Sequence, residues 1–232
     1  MSSVSLDEFV LSISRALDRN KVPESIEAYD TVSGPQRELL ADATPQDLID
    51  LLKKEADALG TVVCEATPET VSQTVVDLIR TFNGETVVYA DNPDADRYQI
   101  PQALDDAGLK GYRWDAYDQH ESINKAEAAQ VGISFAFGAI AETATVVQES
   151  TQQSGRAICL LPKAHIALVK KSTVVARMTQ ILDQLEERVA KGEVLPSNIT
   201  FISGPSNTAD IELVRVVGVH GPVHAGIILV EE

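Results

Sequence analysis

Apolar residues along this chain fall into two rhythms. Over residues 5–17 they occupy positions 6, 9, 10, 13, 16 and 17, the spacing of a helix with one apolar face. A polar stretch broken by Pro23, Gly34 and Pro35 follows. Thr44 then opens a second predicted helix, with Pro45 in its first turn and Asp47 placed to favour its N-terminus. It runs through Leu48, Leu51, Leu52 and Ala56 to a stop at Gly60. From residue 61 short apolar runs alternate with helical patterns. Strands are predicted at 61–66, 86–90 and 111–115, and helices from Thr67-Pro68 through Ile79, over 98–107 and over 122–130. A strand-rich stretch over 131–169, a helix over 173–191 and strands near 199–203, 213–217 and 226–230 complete the pattern. This alternation predicts an α/β fold with a mostly parallel sheet flanked by helices. A helical N-terminal extension is expected over residues 1–43 and one α/β domain over 44–232.

Composition narrows the partners. The 232 residues carry 19 Lys and Arg against 35 Asp and Glu, a formal net charge of −16. Nucleic acid and anionic membrane surfaces need a basic footprint, so neither is expected as a partner. Lys163, Lys170 and Lys171 still form a local basic group suited to an anion. No apolar run reaches the roughly 20 residues of a membrane span, and the N-terminus lacks a signal-like core, so a cytoplasmic protein is expected. Cys64 and Cys159, each inside an apolar run, read as small core residues and cannot alone supply the four thiolates of a usual iron–sulfur cluster. His120, His165, His220 and His224 are too scattered for a zinc signature. No metal site and no cofactor is predicted. Phosphate-binding, dinucleotide-binding and nucleophile-elbow motifs are absent.

Two stretches carry candidate chemistry. After the apolar run 199–203 the chain reads Ile202-Ser-Gly-Pro-Ser-Asn-Thr-Ala-Asp-Ile-Glu212, followed by Gly218-Val-His-Gly-Pro222. Gly204 permits close backbone approach to an anion, and Ser206, Asn207 and Thr208 are compact donors. The competing account is a tight turn whose Ser and Thr side chains cap the next element. Asp210 and Glu212 are acid/base candidates, or serve a helix N-terminus. His220 is a candidate general base near neutral pH, although turn histidines more often bond backbone. The second stretch is Gly138-Ala-Ile-Ala-Glu-Thr-Ala-Thr-Val-Val147. Read as a strand, it sets Glu142 among small and apolar neighbours and turns Thr143 and Thr145 to the other face. A carboxylate there needs a partner or a proton unless the strand is a solvated edge.

These peptides, with Leu161-Pro-Lys-Ala-His-Ile-Ala-Leu-Val169 between them, occur in the order and form that resembles the lactate-utilization protein C family, the LUD domain. The resemblance covers about residues 44–232. It implies a fold akin to the sugar-phosphate isomerase and coenzyme A transferase-like proteins. It also implies a part in oxidising L-lactate to pyruvate beside iron–sulfur partner subunits. Motif positions carry onto Glu142 and Thr143, onto Ser203, Gly204, Pro205, Ser206, Asn207, Thr208 and Asp210 through Glu212, and onto His220, Gly221 and Pro222. The family usually has Gly where this chain has Ala144, and Arg where it has Asn207. The second change removes a guanidinium fork suited to carboxylate or phosphate, so the ligand does not follow from the family.

Two classes of function stay open on the sequence. One is a non-redox subunit of an iron–sulfur lactate oxidation system that binds a small polar or anionic ligand or a partner. The other is a transferase- or isomerase-type enzyme that uses Glu142 or His220 on a phosphorylated or carboxylated metabolite. Both expect the loop 203–210, Glu142-Thr143 and His220-Gly221-Pro222 to meet in one pocket at the carboxyl end of the sheet.

Overall fold

The helix starts follow their capping chemistry. Ser5 and Glu8 form a reciprocal capping box at the head of α1 (Leu6–Ala16), and Thr44 and Asp47 form another at the head of α3 (Pro45–Leu59). Gly60, left-handed at φ 75°, ends α3. The structure, a computed structural model, describes residues 5–19, 21, 25, 34–208 and 216–232. The chain divides into two units, 1–38 and 39–232. Among its described residues the first unit holds α1 and the short α2 (Pro35–Glu38).

The second unit is the α/β body. In chain order after α3 come β1 (Val62–Ala66), α4 (Val71–Thr81), β2 (Thr86–Tyr89), α5 (Pro93–Arg97), α6 (Ile100–Asp106), β3 (Lys110–Arg113), α7 (Gln119–Ala128) and β4 (Val131–Phe135). Next are β5 (Gly138–Ile140), β6 (Thr145–Ser150), α8 (Ala157–Leu160), β7 (Ala164–Lys170), β8 (Val174–Val175), α9 (Met178–Ala190) and β9 (Asn198–Ser203). The last are β10 (Asn207–Thr208), β11 (Val216–Val217) and β12 (His224–Val230).

The main sheet has the order β1-β12-β7-β4-β2-β3, and every pairing in it is parallel. Alternate residues of its strands therefore enter separate cores. Val87, Ile133, Ile166 and Ile228 pack with Val75, Ile79, Ile100 and Leu104 of α4 and α6 on one face. On the other face Ala167, Val169, Ile227 and Leu229 meet Ile49 and Leu52 of α3, together with Ala139, Ala141 and Val146. Ala139 and Val146 belong to a second sheet segment, ordered β8-β5-β6-β9, that folds back over the first, and Ala141 belongs to the turn between β5 and β6. Ile181 and Leu185 of α9 close its outer side against Ile140 and Val147.

Three sequence expectations change. The helix expected over 98–107 starts only at Ile100 as α6, because Gln99 sits left-handed at φ 54° and separates it from the unexpected short α5. The helix expected over 173–191 starts only at Met178; a 3-10 turn (Lys171–Thr173) and β8 take its first residues. Of the strand expected over 213–217, Val216 and Val217 form β11, and residues 213–215 lie outside those described.

Two tight points in the sheet generate measurable expectations. A Cβ on Gly132 in β4 would lie 1.8 Å from the Ile158 carbonyl oxygen of α8. Gly132→Ala is expected to cost about 3 kcal/mol in denaturant unfolding because neither backbone can yield. Gly60→Ala, strained in φ but with open space around it, should cost only about 1 kcal/mol. The second point is a buried polar pair, with Ser134 Oγ and His165 Nε2 2.8 Å apart on neighbouring strands. Burial pushes the His165 imidazole down to about 4. The unfolded chain takes up that proton near pH 6.5 and the folded chain resists it. Stability should then fall by about 3 kcal/mol between pH 6.5 and pH 4 from this group alone. Unfolding curves of His165→Gln, which keeps a partner for Ser134, should lack that part of the slope.

Candidate functional site

The stretch that carries Glu142 is a corner and not a continuous strand. β5 stops at Ile140, residues Ala141–Thr143 form a 3-10 turn, and Ala144 takes a left-handed conformation at φ 45°, ψ 42° before β6 begins. This corner breaks the alternation expected from the sequence. Thr143 and Thr145 are not parallel neighbours on a strand face; their hydroxyls bond each other at 2.6 Å. Thr145 Oγ1 also lies 2.7 Å from Ser203 Oγ, because β6 and β9 pair antiparallel with Thr145 opposite Ser203. A row of three hydroxyls thus runs from exposed Thr143 through buried Thr145 to exposed Ser203. Each hydroxyl both donates and accepts, so the row can orient a polar group at either end.

Glu142 has the partner that its apolar surroundings require. Its Oε2 accepts from Arg177 Nε at 2.8 Å, and both side chains are about three-quarters shielded from water or slightly less, at 32% and 24% exposure. Arg177 stands at the N-cap of α9, where Gln180 Oε1 accepts from its backbone N–H at 2.8 Å. The Glu142 N–H donates to the Ala176 carbonyl at 3.1 Å, which ties the corner to the same segment. Neither Arg177 nor Thr145 was singled out by sequence as a site residue. Thr145 lies within the quoted motif, but Arg177 gives no local signal because its pairing with Glu142 spans 35 positions.

The loop after β9 folds into a second knot. Gly204 is left-handed at φ 75°, and a Cβ there would sit 3.1 Å from Leu59 Cβ and 3.4 Å from Thr61 Oγ1. Pro205 is buried. Asn207 Nδ2 donates to the Pro205 carbonyl at 2.8 Å, and Asn207 and Thr208 pair with Val217 and Val216 as β10 and β11. Ser206 N–H donates to the Pro222 carbonyl and Gly218 N–H to the Ser206 carbonyl, each at 2.9 Å. A Cβ on Gly221 would lie 3.2 Å from Ser206 Cβ, so a side chain there would push these two turns apart by a few tenths of an ångström. His220 is exposed at the tip of the second turn. Asp210 lies outside the described residues.

The structure therefore joins Thr143 to Ser203 through Thr145, and Ser206 to Gly221-Pro222, with residues 203–206 continuous between them. Among the described residues no hydrogen bond or ion pair links Glu142 to His220. The expected location needs correction. Val223 N–H donates to the Lys163 carbonyl at 2.8 Å, just before β12 and β7 begin, and Gly204 lies against Leu59 and Thr61, just before β1. These turns lie at the amino ends of the parallel strands. The cause is topological: β9 belongs to the second sheet and runs antiparallel to β6, so its carboxyl end is not a carboxyl end of the main sheet. Among the described residues no cluster of His, Cys, Asp or Glu could hold a metal ion, and no helix is long and apolar enough to cross a membrane.

Residues 49–230 match the LUD domain, and the chain belongs to the LUD domain family. It is 35% identical over 230 residues to lactate utilization protein C of Bacillus licheniformis, with 97% of this chain and 96% of the relative covered. It is also 35% identical over 230 residues to lactate utilization protein C of Bacillus subtilis, with the same coverage. Among solved structures, a DUF162 family protein from Deinococcus radiodurans shares the fold. Its TM-score is 0.60 at 19% identity, covering 81% of this chain and 98% of that one.

Ala144 offers a direct check on the corner. Its left-handed backbone strains any side chain by about 1–2 kcal/mol. Ala144→Gly removes that strain but loses a buried methyl and loosens the unfolded chain, so stability should stay within about 1 kcal/mol of the parent. Ala144→Val puts a branched side chain into the same backbone and should cost about 2 kcal/mol or more. Thermal melts of the two variants measure the difference.

Proposed function

We propose that this chain serves L-lactate utilization in the cytoplasm, as a non-redox subunit beside iron–sulfur proteins that oxidise L-lactate to pyruvate. The observation that carries this reading is the end-to-end likeness to relatives named lactate utilization protein C, 35% identical with 97% of this chain covered. The thiols support the division of labour. Burial pushes the Cys159 thiol up to about 11, and burial with the nearby Asp77 raises that of Cys64. Neither is a ready thiolate ligand, so clusters are assigned to the partners.

In this reading Glu142, Thr143, Ser203, Gly204, Pro205, Ser206, Asn207, Thr208, His220 and Gly221 form the surface that meets a small polar ligand or a partner subunit. The ion pair with Arg177 occupies one oxygen of Glu142 and holds its side chain in place. That argues for a positioning role over general-base catalysis. Deleting the gene from its host should abolish growth on L-lactate and leave growth on glucose intact, with rescue by the parent gene. Glu142→Gln and His220→Ala should fail to rescue while melting within a few degrees of the parent, a shift of about 1 kcal/mol or less. Normal growth of the deletion strain on L-lactate would refute the assignment. Retention of lactate-dependent dye reduction in extracts of the deletion strain would do so as well.

A further inference from the structure

A cavity of about 650 Å³ lies beyond the carboxyl ends of β2, β4, β7 and β12, the place where open parallel sheets most often hold ligands. Of the residues named above as candidates, Lys170 of the basic group lines it, and none of the residues of the Glu142 corner or the glycine turns does. Its walls are Phe135, Leu168 and Val230 from the main sheet, Phe137 from the link between the sheets, and Gln148 and Glu149 from the second. Phe135 and Phe137 are only partly buried, and the Arg188 guanidinium lies over one face of the Phe137 ring, 5.3 Å from its centroid.

The charges around this cavity follow one rule. Lys170 is held by Asp94 at 3.0 Å and Glu232 at 3.1 Å. Arg97 is held by the same two carboxylates, at 3.5 and 2.9 Å. Arg113 is held by Asp91 at 3.3 Å and by Asp96. Arg188 is held by Glu193 at 2.9 Å and by Glu149. Each of these four cations is already claimed by two carboxylates, and the group as a whole carries an excess of negative charge. An incoming carboxylate or phosphate would have to displace a bound acid and then face those that remain, whereas a cation adds to the balance.

Gln148 adds a polar requirement. It is 3% exposed, and its Oε1 has no hydrogen-bond partner among the described residues. The orientation of the amide is fixed, because Nε2 donates to the Glu149 carbonyl at 3.2 Å and to Ser154 Oγ at 3.4 Å. A flip would set the amide oxygen against the Glu149 carbonyl oxygen. The unmet group at this wall is therefore an acceptor, and its complement is an N–H or O–H donor.

We propose that this cavity is a second binding site, for a small organic cation or neutral amide that has a flat apolar face and an N–H donor. It does not take the lactate or pyruvate anion. The ring lies against Phe135 and Phe137 and gains from the cation–π attraction when charged, and the donor group turns to Gln148 and the carboxylate rim.

Three probes of one shape separate the contributions: benzamidine, benzamide and benzoate, titrated at roughly millimolar concentrations into the full isotope-labelled chain and followed by NMR. Benzamidine should shift the Phe137, Gln148 and Ser154 amides saturably, benzamide should shift the same signals with weaker affinity, and benzoate and L-lactate should leave them unmoved. Gln148→Leu and Phe137→Leu should each weaken benzamidine about fivefold, the loss of one donor–acceptor contact or one cation–π face. Should Gln148→Leu fail to fold, Phe137→Leu carries the test. Benzoate or L-lactate shifting those amides as strongly as benzamidine, silence from all three probes, or parental benzamidine affinity in the folded variants would each overturn the proposal. The outcome is independent of growth on lactate, so either reading can fail alone.

Discussion

A wholly parallel sheet has no face that it can leave in water, because both sets of alternating side chains are apolar. In this chain that requirement organises almost everything else. α4 and α6 cover one face, but the other is too broad for α3 alone. The segment after β4 turns back as β5 and β6 and, with β8 and β9, lays a second sheet across it. The second sheet then has an outer face of its own, which α9 closes. The resulting order is helices, sheet, mixed cover, helix, and each layer is required by the exposed face beneath it.

The two candidate sites are by-products of that cover. Where β5 passes into β6 the chain must reverse within a few residues, and the corner holds Glu142, Thr143 and the strained Ala144. Where β9 leaves the second sheet it delivers Ser203 and the glycine turn to the amino ends of β1, β7 and β12. At the opposite end residues of both sheets, Phe135 and Leu168 from one and Gln148 and Glu149 from the other, line the cavity. The two ends differ in chemistry. The amino end offers hydroxyls, turn amides and one engaged ion pair, and the carboxyl end offers aromatic rings within a ring of carboxylates.

Much of the parallel sheet was legible in the sequence. Its strands are short apolar runs, and its helices begin at recognisable caps such as Thr44 with Asp47. The second sheet was harder to read. Gly138-Ala-Ile140 and Val174-Val175 are too short to show a period, and Ala-rich strands resemble loops. The break at Gln99 carries no glycine or proline at the strained position itself. Local motif chemistry identified Glu142 but not Arg177, since ion pairing across 35 positions depends on the tertiary path. For the same reason sequence grouped the glycine turns with a strand end and assigned that end to the wrong edge: strand direction is a property of the sheet and not of the peptide.

The place of β12 between β1 and β7 has a consequence for biosynthesis. It is the last strand of that sheet to leave the ribosome, yet it fills an interior slot, flanked on each side by strands made much earlier. Until residues 224–230 emerge, β1 and β7 present unpaired edges toward an empty slot, the kind of surface that recruits a neighbouring nascent chain. The partly made chain must stay open, and its long-range closure is slow. A pair of unpaired edges that lasts until translation reaches β12 is thus built into the strand order, whatever the final stability of the finished molecule.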